Sequence, residues 1–416
     1  MILFKCSKQK QEVIEITMHA QPLCQKYFEN TPTTFHGSRK TALQLITSSL
    51  LTEAELTLTS LGRRLPGEAY VKHKIKRVDR FVGNRHVYHE LPLMYQELLR
   101  PVLASLETIV LAVDWSGCCS PDYHVLRASL LYEGRSIPVY NVVVPEALQE
   151  STAVHDAFLE TLKRRIVPAN AQVIIVTDGG FKTPWFAQVE SLGWDYIGRV
   201  RGHIHCQVGT ADWQDIQVLH SQADYRPRYL GEGTLGKTSD SSCRTHFFTI
   251  KQRPRGRHAV FPHYPQAEQR YQQLHTEPWV IVTSLEGGSK LARTVVNVYK
   301  KRMQIEQNFR DDKNPRWGFA WRYSRTRNVA RISVLCLIAT LATLLLWLLG
   351  FAAEHAQLQR QFQANTIKHK RVLSYLFLAK QLLFHCPGRI MQHQWSTFID
   401  YFAVHYQQQD ELLGVA

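Results

Sequence analysis

Twenty-two consecutive residues without a charge, Ile332 to Ala353 (ISVLCLIATLATLLLWLLGFAA), constrain this chain more than any other segment. A run of that length escapes water either by crossing a bilayer or as a helix enclosed on all sides by a large core. It stands alone in the chain, contains Cys336, Thr340 and Thr343, follows the basic stretch RYSRTRNVAR and precedes a polar, Gln-rich segment. The core helix is therefore the expectation, with no membrane partner. A chain of 416 residues can supply such a core and suggests more than one domain. With 44% hydrophobic and 20% charged residues, disorder throughout and a polytopic membrane protein are both disfavoured.

The eight cysteines, at positions 6, 24, 118, 119, 206, 243, 336 and 386, form no C-x-x-C pair and have no His at zinc-finger spacing. They read as reduced thiols of a cytoplasmic protein. The opening MILFKCSKQKQEVIEI has no charged region followed by an apolar one, so no secretory leader is expected.

Lys and Arg number 50 against 35 Asp and Glu, a net charge of +15 that points to a polyanionic partner, nucleic acid before an anionic membrane surface. Residues 1–95 are helical in pattern, and the positive charge concentrates in TLTSLGRRLPGEAYVKHKIKRVDRFVGNRH. Ile75, Val78 and Val82 recur at helical spacing among Lys72, Lys74, Lys76, Arg77, Arg80 and Arg85, the pattern of an amphipathic basic helix. Ahead of it, Leu58, Leu61 and Leu65 with Thr57 or Thr59 as a cap, then Pro66-Gly67, give helix, break, helix. That order is compatible with a helix-turn-helix.

The pattern then turns to β. Thr108 to Asp114 (TIVLAVD) is a β-branched run ending on an acid, 125–131 and 137–144 follow as strands, a helix covers roughly 153–166, and Val173 to Thr177 (VIIVT) ends on Asp178. Strand, hairpin, helix, strand is a mixed α/β order around a buried sheet. Residues 201–278 read as a β-rich insertion carrying the basic loop KQRPRGRH, Trp279 to Leu285 returns to a core strand, and one helix is expected over 292–313. The expected organisation is a helical basic domain over 1–95, an α/β domain over 96–200 and 279–331 interrupted by 201–278, and a helical region over 332–416.

Asp114 and Asp178 each end a buried strand, where open α/β sheets place their ligands. If the strands are neighbours, the two carboxylates converge. Converging carboxylates repel unless a cation intervenes, and without nearby His or Cys the cation is Mg²⁺ or Mn²⁺. Tyr299, Arg302, Glu306 and Lys313 fall within a stripe of roughly 60° at about 100° per residue. Ile305 and Phe309 form an adjoining apolar edge that can seat the helix. Arg302 and Glu306 are also spaced for an ion pair one turn apart.

The spacing Y-x2-R-x3-E-x6-K, filled here by Tyr299, Arg302, Glu306 and Lys313, resembles the YREK signature of bacterial DDE transposases of insertion sequence family four. The resemblance extends to VDWS around Asp114, TDGGFKTPWF around Asp178, RLPGEAYVKHKIKRVDRFVGNRH and the β insertion, so it covers most of the chain. It is nearest to the subgroup of the tetracycline-resistance composite transposon. It implies an RNase H-like catalytic domain in which Asp114, Asp178 and Glu306 hold two Mg²⁺ ions, with Mn²⁺ able to substitute. The implied activity is cut-and-paste transposition: cleavage at terminal inverted repeats, a hairpin at the element end, then insertion into target DNA. Tyr299, Arg302 and Lys313 are implied to grip phosphates, and Trp279 to stack on an extruded base. Lys72, Lys74, Lys76, Arg77 and Arg80 would contact end DNA, and the carboxyl-terminal helices would pair two subunits on it in the bacterial cytoplasm. The rival readings are a catalytically silent DNA-binding regulator and a structure-specific nuclease of the same fold.

Overall fold

A computed structural model of the chain describes residues 20–52, 54–238, 242–252, 277–364, 366–367, 369–385 and 402–406. Most of the basic loop KQRPRGRH lies outside these residues, as do Cys6 and Cys386. The other six cysteines carry free thiols.

The amino-terminal part is helical. Helices α1 (20–29), α2 (Gly37–Leu51), α3 (Leu58–Arg64), α4 (Val71–Val82), α5 (Arg85–His89) and α6 (Leu91–Leu103) precede the first strand. Thr57 caps α3 by accepting from Ser60 N–H, and Pro66 and Gly67 fall in the break before α4. The two helices touch where α3 carries Gly62: a Cβ there would stand 2.5 Å from Ile75 Cα, so only glycine allows the approach. Val78, Phe81 and Val82 bury one face of α4, while Lys72, Lys76, Arg77 and Arg80 stay exposed and Lys74 is half-buried.

Among the described residues, ten strands form one sheet in the order β3-β2-β1-β4-β5-β10-β9-β8-β6-β7. Strands β1 (Thr108–Gly117), β2 (Tyr123–Leu130) and β3 (Ile137–Pro145) are an antiparallel meander, and β4 (Gln172–Thr177) and β5 (Asp195–Val200) run parallel to β1. The connection from β3 to β4 is α7 (Thr152–Thr161) with a following wide turn, and α8 (Thr183–Ser191) joins β4 to β5. The β-rich segment adds β6 (His205–Val208), β7 (Gln214–Asp215), β8 (Arg228–Leu235) and β9 (Cys243–Ile250) to the same sheet, because β10 (Trp279–Thr283) lies antiparallel between β5 and β9.

The expected single helix over 292–313 is two, α9 (Ala292–Lys301) and α10 (Met303–Lys313), meeting at Arg302. Arg302 keeps helical dihedrals, but the chain tightens around it: Arg302 N–H donates to Tyr299 O at 3.1 Å and Ile305 N–H to Arg302 O at 3.0 Å, both three residues apart. Ile305 and Phe309 are buried and seat α10 on the sheet.

The apolar run forms α11 (Val329–His355), in which every residue from Ile332 to Ala353 is buried. It is long and apolar enough to cross a membrane, yet it is enclosed by the chain itself. It packs on β3, α2 and α12 (Tyr375–His385). At Gly350 a Cβ would meet Tyr375 O at 2.1 Å, so α12 is admitted only because that position has no side chain. Arg331 at the start of α11 pairs with Asp79 on α4, tying the basic helix to the core.

Candidate active site

Strands β1 and β4 pair in parallel with Val113 opposite Thr177. Asp114 and Asp178 are each the next residue, so the acids stand at the same height; Asp178 lies just past the end of β4, but Asp114 does not end its strand as expected, because β1 runs on to Gly117 by pairing with β2. Asp178 turns its Oδ1 back to accept from Gly180 N–H at 2.9 Å, closing the tight turn that TDGG encodes. Glu306 approaches from α10. The three acids, with Trp115, Ser116 and Lys313, line one cavity of about 540 Å³. Phe309, Arg310 and Arg322 also face it.

Asp114 accepts from Trp115 N–H through Oδ1 at 2.8 Å and from Arg302 Nη1 through Oδ2 at 3.1 Å. Burial pushes its carboxyl up to about 7; Arg302 opposes that rise, and Asp178 and Glu306 add to it. Arg302 is itself buried and extends Nη2 to Glu306 Oε1 at 2.5 Å, so one guanidinium bridges two of the three acids. The ion pair one turn apart thus exists, and it is part of the site.

Lys313 Nζ donates to Ser116 Oγ at 2.7 Å and lies 5.8 Å from the centre of the Phe309 ring. Burial draws its ammonium below the usual lysine range. Tyr299 is buried beneath Arg302 and meets Trp279 edge-on at 5.0 Å. Trp279, half-buried at the start of β10, also has the Arg199 guanidinium 5.7 Å from its ring. Tyr299 and Trp279 are therefore packed on each other, and neither lines the cavity. Lys72, Lys74, Lys76, Arg77 and Arg80 belong to α4, away from the cavity lining.

By type the donors suit a hard divalent cation, since three carboxylates face one cavity. Among the described residues no three acids, His or Cys stand close enough to hold a metal ion together. The Arg302 guanidinium pairs with both Asp114 and Glu306.

Two neighbours of the acids escaped the sequence reading. His155 on α7 accepts from Trp115 Nε1–H at 3.1 Å and stacks on Phe181 at 5.3 Å, so it braces the residues that follow both strand-end acids. Arg127 on β2 lies opposite Asp114 in the antiparallel register and pairs with Asp312 at 2.7 Å. A charge inside the apolar run VLRASLL was the available signal, since a buried arginine needs a partner.

A piggyBac transposase, solved by electron cryomicroscopy in a synaptic complex with hairpin DNA, resembles this chain over 94% of its length and 82% of its own, at 8% identity and a TM-score of 0.37. No curated protein sequence matches the chain. The family described as "Transposase DDE domain" matches residues 108–344, a span that opens at β1 and closes within α11. More than half of its length is so matched, and the chain belongs to the DDE transposase family.

Proposed function

We infer that this DDE transposase is a cut-and-paste enzyme of insertion sequence family four, acting in the bacterial cytoplasm as a homodimer on the terminal inverted repeats of its element. One observation carries the reading: Asp114 and Asp178 stand at one level on adjacent parallel strands and share a cavity with Glu306 and Lys313 of the YREK spacing. The order β3-β2-β1-β4-β5, with β4 and β5 parallel to β1, supports an RNase H-like catalytic core.

Asp114, Asp178 and Glu306 would hold two Mg²⁺ ions, with Mn²⁺ as a substitute. Bound there, the ions would activate the attacking oxygen and offset charge on the leaving 3′ oxygen. The chain's own part is to bind and orient. Lys313 and Arg302 suit non-bridging phosphate oxygens, the first as a point charge and the second as a planar fork. In the first step the oxygen of water bonds to phosphorus and the P–O3′ bond breaks, freeing a 3′-hydroxyl. That hydroxyl then attacks the opposite strand, exchanging one phosphodiester for another and closing a hairpin at the element end. Trp279 would receive a base extruded by the hairpin, which requires its ring to part from Tyr299. The exposed cations of α4 would hold end DNA through its phosphates.

The test is cleavage of a duplex carrying the element's terminal repeat by purified protein with Mg²⁺, comparing wild type with Glu306→Ala. Cutting at the repeat boundary and a hairpin on a denaturing gel, both lost in the variant, are expected. Binding without cutting by the wild type in Mg²⁺ and in Mn²⁺ would leave a silent DNA-binding regulator. Cutting without hairpin or strand-transfer products would leave a nuclease.

A further inference from the structure

Arg127 is 1% exposed, and each of its guanidinium nitrogens has a partner. Nε donates to Asn141 Oδ1 on β3 at 2.7 Å, Nη1 donates to Asn308 Oδ1 at 2.6 Å, and Nη2 pairs with Asp312 Oδ2 at 2.7 Å. Its carbon centre lies 4.6 Å from the middle of the Phe309 ring. Asn308, Phe309 and Asp312 occupy adjacent turns of α10, the helix that carries Glu306 and Lys313. Asn141 in turn donates to Tyr95 on α6 and Thr340 on α11, both at 3.0 Å.

Stability alone does not account for this arrangement. A buried ion pair is commonly no better than apolar side chains of equal volume, because desolvation offsets the attraction. Asn308 is fully buried with its Nδ2 lacking a hydrogen-bond partner among the described residues, a further cost that a leucine would avoid. What a planar fork with two hydrogen-bonded directions and an ion pair on the third supplies, and an apolar contact does not, is one fixed rotation of the helix. The lever is long: side chains reach about 5–6 Å from a helix axis, so a turn of roughly 20° would carry the Glu306 carboxylate about 2 Å. Arg127 also faces Asp114 across β1 and β2, so one residue is keyed to the strand bearing the first acid and the helix bearing the third.

We propose that Arg127, through Asn308 and Asp312, is a positioning residue that sets the rotation of α10 and so holds Glu306 in register with Asp114 and Asp178. The inference rests on Glu306 being an acid of the active site.

The test replaces the pair with an apolar one, Arg127→Met with Asp312→Leu, which removes both charges together and leaves neither buried alone. The full-length double variant leaves the buried acceptors Asn141 Oδ1 and Asn308 Oδ1 without their donor, so it is expected to unfold below the wild-type temperature, yet to stay folded at about 25 °C and bind the terminal-repeat duplex normally. Its cleavage rate is expected to fall about a hundredfold, the scale of a 1 Å misplacement. Without DNA, the Mn²⁺ concentration that half-maximally raises the unfolding temperature is expected to increase severalfold. Arg127→Lys, which keeps the charge and loses the fork, should move both readouts the same way. Wild-type cleavage and a wild-type Mn²⁺ midpoint in either folded variant would overturn the proposal. So would unfolding of both variants, which would assign the pair to stability, or a wild type that shows no Mn²⁺ shift. A wild type that takes up Mn²⁺ but cuts no DNA would sink the transposase reading alone, because the Mn²⁺ measurement uses no nucleic acid.

Discussion

Arg302 donates to Asp114 at 3.1 Å and reaches Glu306 with its other amino group, so a side chain expected to hold DNA phosphates is paired with two of the three acids. A cation entering between the acids competes with it. Arg302→Gln is therefore expected to lower the Mn²⁺ midpoint for thermal stabilisation about tenfold, the equivalent of about 1.4 kcal/mol and within the range of one charge-assisted hydrogen bond. Cleavage should fall in the same variant. An unchanged or raised midpoint would show that Arg302 does not compete for the acids.

The exposed cations of α4 give a second expectation. Removing Lys72, Lys76, Arg77 and Arg80 together should weaken binding to duplexes of any sequence. The slope of log affinity against log salt should fall by about one for each DNA phosphate that the variant leaves unneutralised. Titration by fluorescence anisotropy at several salt concentrations reads this directly. A slope equal to wild type would place the DNA on another face.

His155 predicts a pH dependence. Burial pushes its imidazole down to about 4, whereas in the unfolded chain it titrates near 6.5. On acidification the unfolded state takes up this proton first, so its contribution to stability declines from about pH 6.5 to about pH 4 and then levels. His155→Gln keeps an acceptor for Trp115 and should flatten urea-unfolding free energies over that window relative to wild type. Parallel curves for the two proteins would disprove the assignment.

Gly350→Ala tests the seat of α12. Its methyl would overlap Tyr375 O, and displacing that backbone should cost roughly 1–3 kcal/mol, the usual range for overpacking. Denaturant unfolding measures it, and a neutral substitution would mean that α12 yields easily.

Much of the site was legible because its parts are local. A β-branched run ended by an acid, as in TIVLAVD and VIIVTD, marks a buried strand, and β4 stops at Thr177 as that pattern put it, whereas β1 continues past Asp114 to Gly117 because β2 pairs with it there. The break at Arg302 was not legible: YKKRMQIE contains no glycine or proline, and the tightening accompanies contacts to carboxylates far away in sequence. Strand β5, DYIGRV, is short and half polar, and its place follows from pairing with β4 and β10, not from its composition. Extension of one sheet across all ten strands was hidden for the same reason, since strand order is decided by nonlocal pairing. The apolar segment offered two solutions, and only the presence of enough surrounding chain chooses between them.

The position of β10 has a consequence for synthesis. The slot between β5 and β9 stays open, with two unpaired edges, until residues 279–283 have left the ribosome. The helix bearing Glu306 follows after α9, so the last of the three acids is made only after the strand that closes the sheet. A nascent or truncated chain ending in the β-rich segment contains the basic helices and both aspartates but not Glu306. If Asp114, Asp178 and Glu306 are the cutting centre proposed above, the order of the elements withholds that centre from an unfinished molecule.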